Sequence, residues 1–134
     1  MAATKSKGFE IVLNQAKHIL KTRAWGFWDE EFAKRYRSAL TEKIEEIHVS
    51  EKGWYALADF IKFHPQSEEV QSMIREQIAT ASKQGMKKIA YLGKKRMIQL
   101  RFNHLFQKSD ILVHAFIESE EEAIRWLLSE QPGQ

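Results

Sequence analysis

The chain has 134 residues, 43% of them hydrophobic and 29% charged, which is the balance of one ordinary globular domain and disfavours disorder over most of its length. It contains no cysteine, so disulfides, thiolate metal ligands and cysteine nucleophiles are excluded together, and a reducing compartment is suited. The net charge of +3 hides an asymmetry: from Lys83 to Ser109 there are eight Lys or Arg and no Asp or Glu, leaving thirteen basic against eighteen acidic residues elsewhere.

Residues 1–7 lack the apolar core of a signal peptide and are expected to be a flexible lead-in. No stretch approaches the roughly 18 apolar residues of a spanning helix, and the expected location is cytoplasmic. Phe9, Ile11 and Leu13 alternate, Asn14-Gln15-Ala16-Lys17 supplies a turn, and residues 19–25 form the return strand of a hairpin. Gly26 breaks the pattern. Asp29-Glu30-Glu31 then gives the acidic start that a helix macrodipole favours, and Phe32, Tyr36, Leu40, Ile44 and Ile47 follow at helical spacing. The run Trp54-Tyr55-Ala56-Leu57-Ala58 is apolar without alternation, as in a central parallel strand covered on both faces.

Pro65 ends that extended segment, Ser67 caps a helix whose stripe is Val70, Met73, Ile74, Ile78 and Ala81, and Gly85 stands at its C-terminal cap. A strand over 88–92, a turn at Gly93 and a helix over 94–108 carrying Met97, Ile98, Phe102, Leu105 and Phe106 come next. Residues 111–117 read as another strand. Ser119 to Glu122 has the form of a capping box, opening a last helix whose inner face is Ala123, Ile124, Leu127 and Leu128. Residues 130–134 are expected to be a flexible tail. The order β-β-α-β-α-β-α-β-α over residues 8–129 predicts a single α/β domain. Its sheet is mixed but mostly parallel, with about five strands covered by about four helices.

This succession resembles the SpoIIAA-like family, the STAS-like bacterial domains related in fold to anti-sigma factor antagonists and to Sec14-type domains. The stretches that carry the resemblance are Trp25-Gly26-Phe27-Trp28, Phe63-His64-Pro65-Gln66-Ser67-Glu68-Glu69-Val70, Gly85-Met86-Lys87-Lys88-Ile89-Ala90-Tyr91, and residues 116–127. The resemblance implies a STAS-like fold and a regulatory role through protein contacts. Anti-sigma factor antagonists carry a phosphorylatable Ser in an Asp-Ser-Ser-Gly stretch. Here seven residues separate Asp59 from Ser67 and no Ser-Ser-Gly is present, so that switch is not carried over.

No residue pattern points to catalysis. His18, His48, His64, His104 and His114 are scattered, with no two at the spacings of a metal site. There is no G-x-S-x-G elbow. Gly93-Lys94 is not a Walker A loop, because Lys88 stands where its first glycine belongs. The expectation is a non-enzymatic module without metal or cofactor. Asp59, His64 and Ser67 are candidates for a strand-end pocket or switch, since open α/β sheets bind ligands beyond the C-terminal ends of their strands. The alternative is that Asp59 accepts loop N–H groups, His64 lies in solvent and Ser67 only caps.

Lys94, Lys95 and Arg96 oppose the macrodipole at a helix start, by roughly 0.3–1 kcal/mol per group, so helix stability does not explain them. With Arg101 they are candidates for binding a partner or an anion. The other reading has them offset the acidic helices near Glu45-Glu46 or Glu118, within a subunit or across a dimer. The leading function is therefore a STAS-like regulatory module acting through protein contacts, with a homo-oligomer compatible. Two alternatives stay open: a binder of an anionic ligand (phosphate, lipid headgroup or nucleic acid) through the basic segment 83–108, and a pocket for a small apolar ligand or lipid, on fold analogy alone. Nucleic acid is disfavoured by the acidic remainder of the chain and by the lack of an RNA-binding aromatic motif or helix-turn-helix pair.

Overall fold

The computed structural model describes residues 6–47, 53–101 and 113–129. Nine elements follow in the expected order: β1 (Gly8–Asn14), β2 (Ile19–Trp25), α1 (Glu30–Glu45), β3 (Trp54–Asp59), α2 (Glu68–Lys83), β4 (Met86–Leu92), α3 (Lys95–Arg101), β5 (Val113–Ile117) and α4 (Glu120–Leu128). Of the ends expected to be flexible, 1–7 and 130–134, residues 1–5 and 130–134 lie outside the described residues, as do Phe102, Leu105, Phe106 and Ile111.

Side chains start the long helices. The carboxylate of Asp29 accepts from the Phe32 N–H at 2.8 Å, and the hydroxyls of Ser67 and Ser119 accept from Val70 and Glu122 at 3.2 and 3.3 Å. Each cap satisfies a donor that the first helical turn leaves without an intrahelical partner. Two or three glutamates follow each of them, on the favourable side of the macrodipole.

The strands lie in the order β1-β2-β3-β4-β5, with β1 antiparallel to β2 and every other neighbouring pair parallel. The side chains of the central strands alternate between two cores. One holds Leu20, Ala24, Ala56, Ala58, Ile89 and Tyr91 with Tyr36 and Leu40 of α1, Ile74 of α2 and Ile98 of α3. The other holds Ile19, Leu57, Ala90 and Leu92 with Ala123 and Leu127 of α4. Strands laid down in sequence order by right-handed crossovers place their connecting helices on one face, and α4 covers the other. This is a single α/β domain with a five-stranded mixed sheet and, among the described residues, four helices.

Two local readings change. Strand β4 starts at Met86, and the register skips Lys87, since Trp54 pairs with Met86 but Tyr55 with Lys88. That extra residue, a bulge in effect, leaves Lys87 exposed and lets Met86 share a core with Ile89 and Tyr91, while Lys88 alternates with Ala90 and Leu92 on the α4 face. Leu128, expected on the inner face of α4, is exposed, because Ala123 and Leu127 one turn apart define the buried line and Leu128 lies about 100° around the helix from it.

A cavity of about 40 Å³ remains between α1, α2 and the sheet, lined by Thr22, Tyr36, Leu40, Ile74, Ile78 and Met86 among others. Thr22 Oγ1 and the Tyr36 hydroxyl form a buried polar pair on its wall, 2.7 Å apart. Room for one water takes roughly 10–15 Å³, so the cavity as it stands is sized for a few waters rather than a lipid chain.

Candidate functional site

The C-terminal ends of β2, β3 and β4 form one edge, and a buried glutamine builds it. Gly26 leaves β2 with φ +84°, and any Cβ there would run into the Ser6 carbonyl oxygen, so glycine is required. Its N–H donates to the Lys62 carbonyl at 3.0 Å, and its carbonyl accepts from the His64 N–H at 3.1 Å, extending the β2–β3 pairing into the loops as a bridge to Phe63. Gln66 locks this arrangement. Its Oε1 accepts from the Trp28 N–H at 2.9 Å, while its Nε2 donates to the carbonyls of Gly26 and His64 at 2.9 and 2.6 Å. The Gln66 carbonyl accepts in turn from Gln71 Nε2 at 2.9 Å. Beneath this clip the fully buried rings of Trp28 and Phe63 meet edge to face, 4.7 Å between centroids.

The three strand-end candidates lie in this region and do different things. Asp59 ends β3: one carboxylate oxygen accepts from the Ile61 N–H at 3.2 Å and the other lies 3.9 Å from Arg23 Nε. Arg23 also reaches Glu10 at 3.7 Å, so Asp59 closes a cross-strand row Glu10–Arg23–Asp59 on the α4 side of the sheet. His64 exposes its imidazole and joins the clip through its backbone. Ser67 is half-buried and caps α2. Among the described residues no hydrogen bond or ion pair links Asp59, His64 and Ser67 to one another.

The basic segment divides. Lys94 precedes α3, and Lys95 and Arg96 open it, all three exposed; Arg101 is its last residue. Burial, and then the charge of Lys95, hold the His114 imidazole below the usual histidine range, which places Lys95 near β5. Lys88 behaves otherwise. Only 3% exposed, it donates through Nζ to the carbonyls of Trp126 and Ser129, both at 3.0 Å, and to the Ser129 hydroxyl at 3.2 Å. Its ammonium also lies 5.0 Å from the Trp126 ring and 5.8 Å from that of Tyr55. This is an internal clamp on the C-terminal end of α4, where the macrodipole favours a cation. Burial lowers the Lys88 pKa from its ordinary value. The segment 83–108 is thus not one continuous basic face.

Sequence reasoning put Met97 with Ile98 on the apolar side of one helix, but of the two only Ile98 is buried, and it did not single out Phe27 or Ile61 as exposed. Phe27, Ile61 and Met97 are 53%, 40% and 41% exposed and follow β2, β3 and β4 respectively. Ile61 lies beside Gly93, since a Cβ on that glycine would stand 3.8 Å from it. The exposed cations Lys62, Lys94, Lys95 and Arg96 stand on the same loops and helix start. A large apolar residue within a turn, as at Phe27 after Gly26, was the available signal. Among the described residues no three His, Asp or Glu side chains gather as a metal site would require, and no helix is long and apolar enough to cross a membrane.

The two-faced core and sequential strand order match, in fold, a solved structure described as SpoIIAA-like. No family model matches the chain, and no curated protein matches it by sequence search. Solved structures do. An uncharacterised DUF3478-family protein with a SpoIIAA-like fold from Shewanella loihica PV-4 superposes with a TM-score of 0.68 at 18% identity, over 95% of this chain and 99% of that one. An anti-sigma factor antagonist from Mycobacterium paratuberculosis superposes with a TM-score of 0.56 at 10% identity, over 91% and 96%.

Proposed function

We propose that this chain is a non-enzymatic, STAS-like regulatory module of the cytoplasm that acts by binding another protein through the C-terminal edge of β2, β3 and β4. The observation that carries this is the gathering of Phe27, Ile61 and Met97, exposed, at one end of the sheet, with Lys62, Lys94, Lys95 and Arg96 on the same segments. Large apolar side chains rimmed by polar ones are the anatomy of a protein interface. The cations fit an acidic partner surface and suit its capture from solution. The similarity in fold to an anti-sigma factor antagonist, a protein named for action on another protein, agrees with this reading.

Affinity capture from cytosol with the wild-type chain, followed by purification of the bound protein and titration, tests it. Changing Lys94, Lys95 and Arg96 to Gln, or Phe27 and Ile61 to Ser, should weaken binding at least tenfold with the melting temperature nearly unchanged. Full affinity in both variants overturns the proposed edge. Binding that is steeply salt-dependent and retained by nucleic acid or phosphate alone would instead select the anion-binding reading.

A further inference from the structure

We infer that β1 is a homotypic pairing edge: a second copy of this chain adds its own β1 antiparallel, about a two-fold axis at Ile11, to make one continuous ten-stranded sheet. The inference is independent of the function proposed above. Strand β1 ends the sheet order, and among the described residues its outer edge joins no other strand. Edge strands are ordinarily blunted by a proline, an inward lysine or a bulge. The seven residues Gly-Phe-Glu-Ile-Val-Leu-Asn have none of these, and their register with β2 runs without a break from Gly8 against Trp25 to Asn14 against Ile19.

The strand is also complementary to itself. In a two-fold antiparallel pair, opposed residues share a face, so the axis must pass through a residue. An axis at Glu10 sets two carboxylates against each other, and one at Val12 loses Gly8 and Phe9 from the pairing. At Ile11 all seven residues pair. Phe9 then faces Leu13 of the second copy and Ile11 faces its counterpart, extending the half-buried apolar row that packs on the core beneath α1. On the opposite face Glu10 meets Val12, which is 59% exposed. Through the observed registers the row there becomes Leu57, Lys21, Val12, then Glu10, Arg23 and Asp59 of the second copy, with no like charges adjacent. Such cross-strand pairs are the unit of sheet stabilisation.

Helix α1 leaves room for the second copy. Its Tyr36 touches both Phe9 of β1 and Thr22 of β2, so α1 straddles those strands. Across the axis the two α1 helices then lie about two strand spacings apart, roughly 10 Å, which is an ordinary helix-packing distance.

The absence of cysteine from the chain makes the register directly testable. Opposed antiparallel residues have Cα atoms about 4.5–5.5 Å apart, within disulfide reach. Glu10→Cys and Val12→Cys, both at exposed positions, should therefore cross-link when mixed and oxidised, and much less when either is oxidised alone. Light scattering on the wild type should give twice the 15.7 kDa chain mass. Ile11→Glu and Ile11→Lys should each halve that mass, and their mixture should restore it; if either fails to fold, the cysteine pair decides. A wild type of single-chain mass, or a dimer without preferential cross-linking of positions 10 and 12, overturns the inference.

Discussion

Replacing Tyr36 by Phe removes a buried hydroxyl that meets the Thr22 hydroxyl at 2.7 Å on the wall of the cavity. A neutral hydrogen bond contributes about 0.5–1.5 kcal/mol net, whereas stranding one buried partner costs about 1–3 kcal/mol. Tyr36→Phe strands the threonine hydroxyl and Thr22→Val strands the tyrosine hydroxyl, so each single variant should lose about 1–3 kcal/mol. The double variant leaves neither group, and removing both partners of a buried bond is nearly neutral. It should therefore be less destabilised than the sum of the singles by about 1–2 kcal/mol. Urea unfolding of the four proteins, followed by circular dichroism at one protein concentration, measures this coupling. Additivity within about 0.5 kcal/mol would refute the reasoning, because it would show that each hydroxyl finds another partner, such as water in the cavity.

The same tyrosine makes stability fall at high pH. Burial, against a smaller opposing effect of the Thr22 hydrogen bond, raises its pKa from 10.0 to about 12, and burial followed by the charge of Tyr36 raises that of Tyr91 as well. A folded pKa above the unfolded one means stability is intact below pH 10 and lost between there and about 12, by about 3 kcal/mol for Tyr36 alone. Lys88, whose folded pKa is lowered, pulls the other way just below the ordinary lysine value, but it is one group against two. Urea unfolding as a function of pH should show the net loss and Tyr36→Phe should shrink it; a flat profile contradicts the burial of these phenols. Leu127→Ala should cost about 2–5 kcal/mol and Leu128→Ala under about 0.5, since the first is fully buried and the second exposed; equal losses would mean α4 is docked on another face. Gln66→Ala should cost about 1–3 kcal/mol by stranding the Trp28 N–H, read as faster exchange of that amide, and unchanged protection there would show that the clip is not needed.

What the sequence revealed was local, and what it concealed was made by pairing. Ser67 and Ser119 were legible as caps because each accepts from an N–H three residues on, whereas Asp29, read only as part of an acidic helix start, proves to be the cap of α1. The hairpin was legible in the alternation of Phe9, Ile11 and Leu13. Lys88 counted with the basic surface because its acceptors, Trp126 and Ser129, lie about forty residues along the chain and meet it only when α4 packs on the sheet. The partner of Asp59 was hidden for the same reason, since Arg23 reaches it only once β2 and β3 pair in register. Gln66 resembles any loop glutamine until the β2 and β3 loops close over it. Phe27, Ile61 and Met97 are separate residues in three segments, and only the parallel strand order brings them to one end.

That separation bears on how the edge can work. Its backbone is fixed from within, by Gln66 bonding to Gly26, Trp28 and His64 and by Asp59 holding the Ile61 N–H, while Phe27 and Ile61 project from those same fixed loops. A surface held in this way loses little conformational freedom when a partner docks. It also divides the variants into two kinds. Changes at Phe27, Ile61, Lys94, Lys95 or Arg96 remove exposed side chains and should leave unfolding free energy within about 0.5 kcal/mol of wild type, so any loss of binding they cause belongs to the interface. Gln66→Ala loosens the loops themselves and should lower stability and partner affinity together, with the affinity loss falling mainly on the dissociation rate. If Gln66→Ala weakens folding but leaves dissociation from the partner unchanged, the partner does not read this edge.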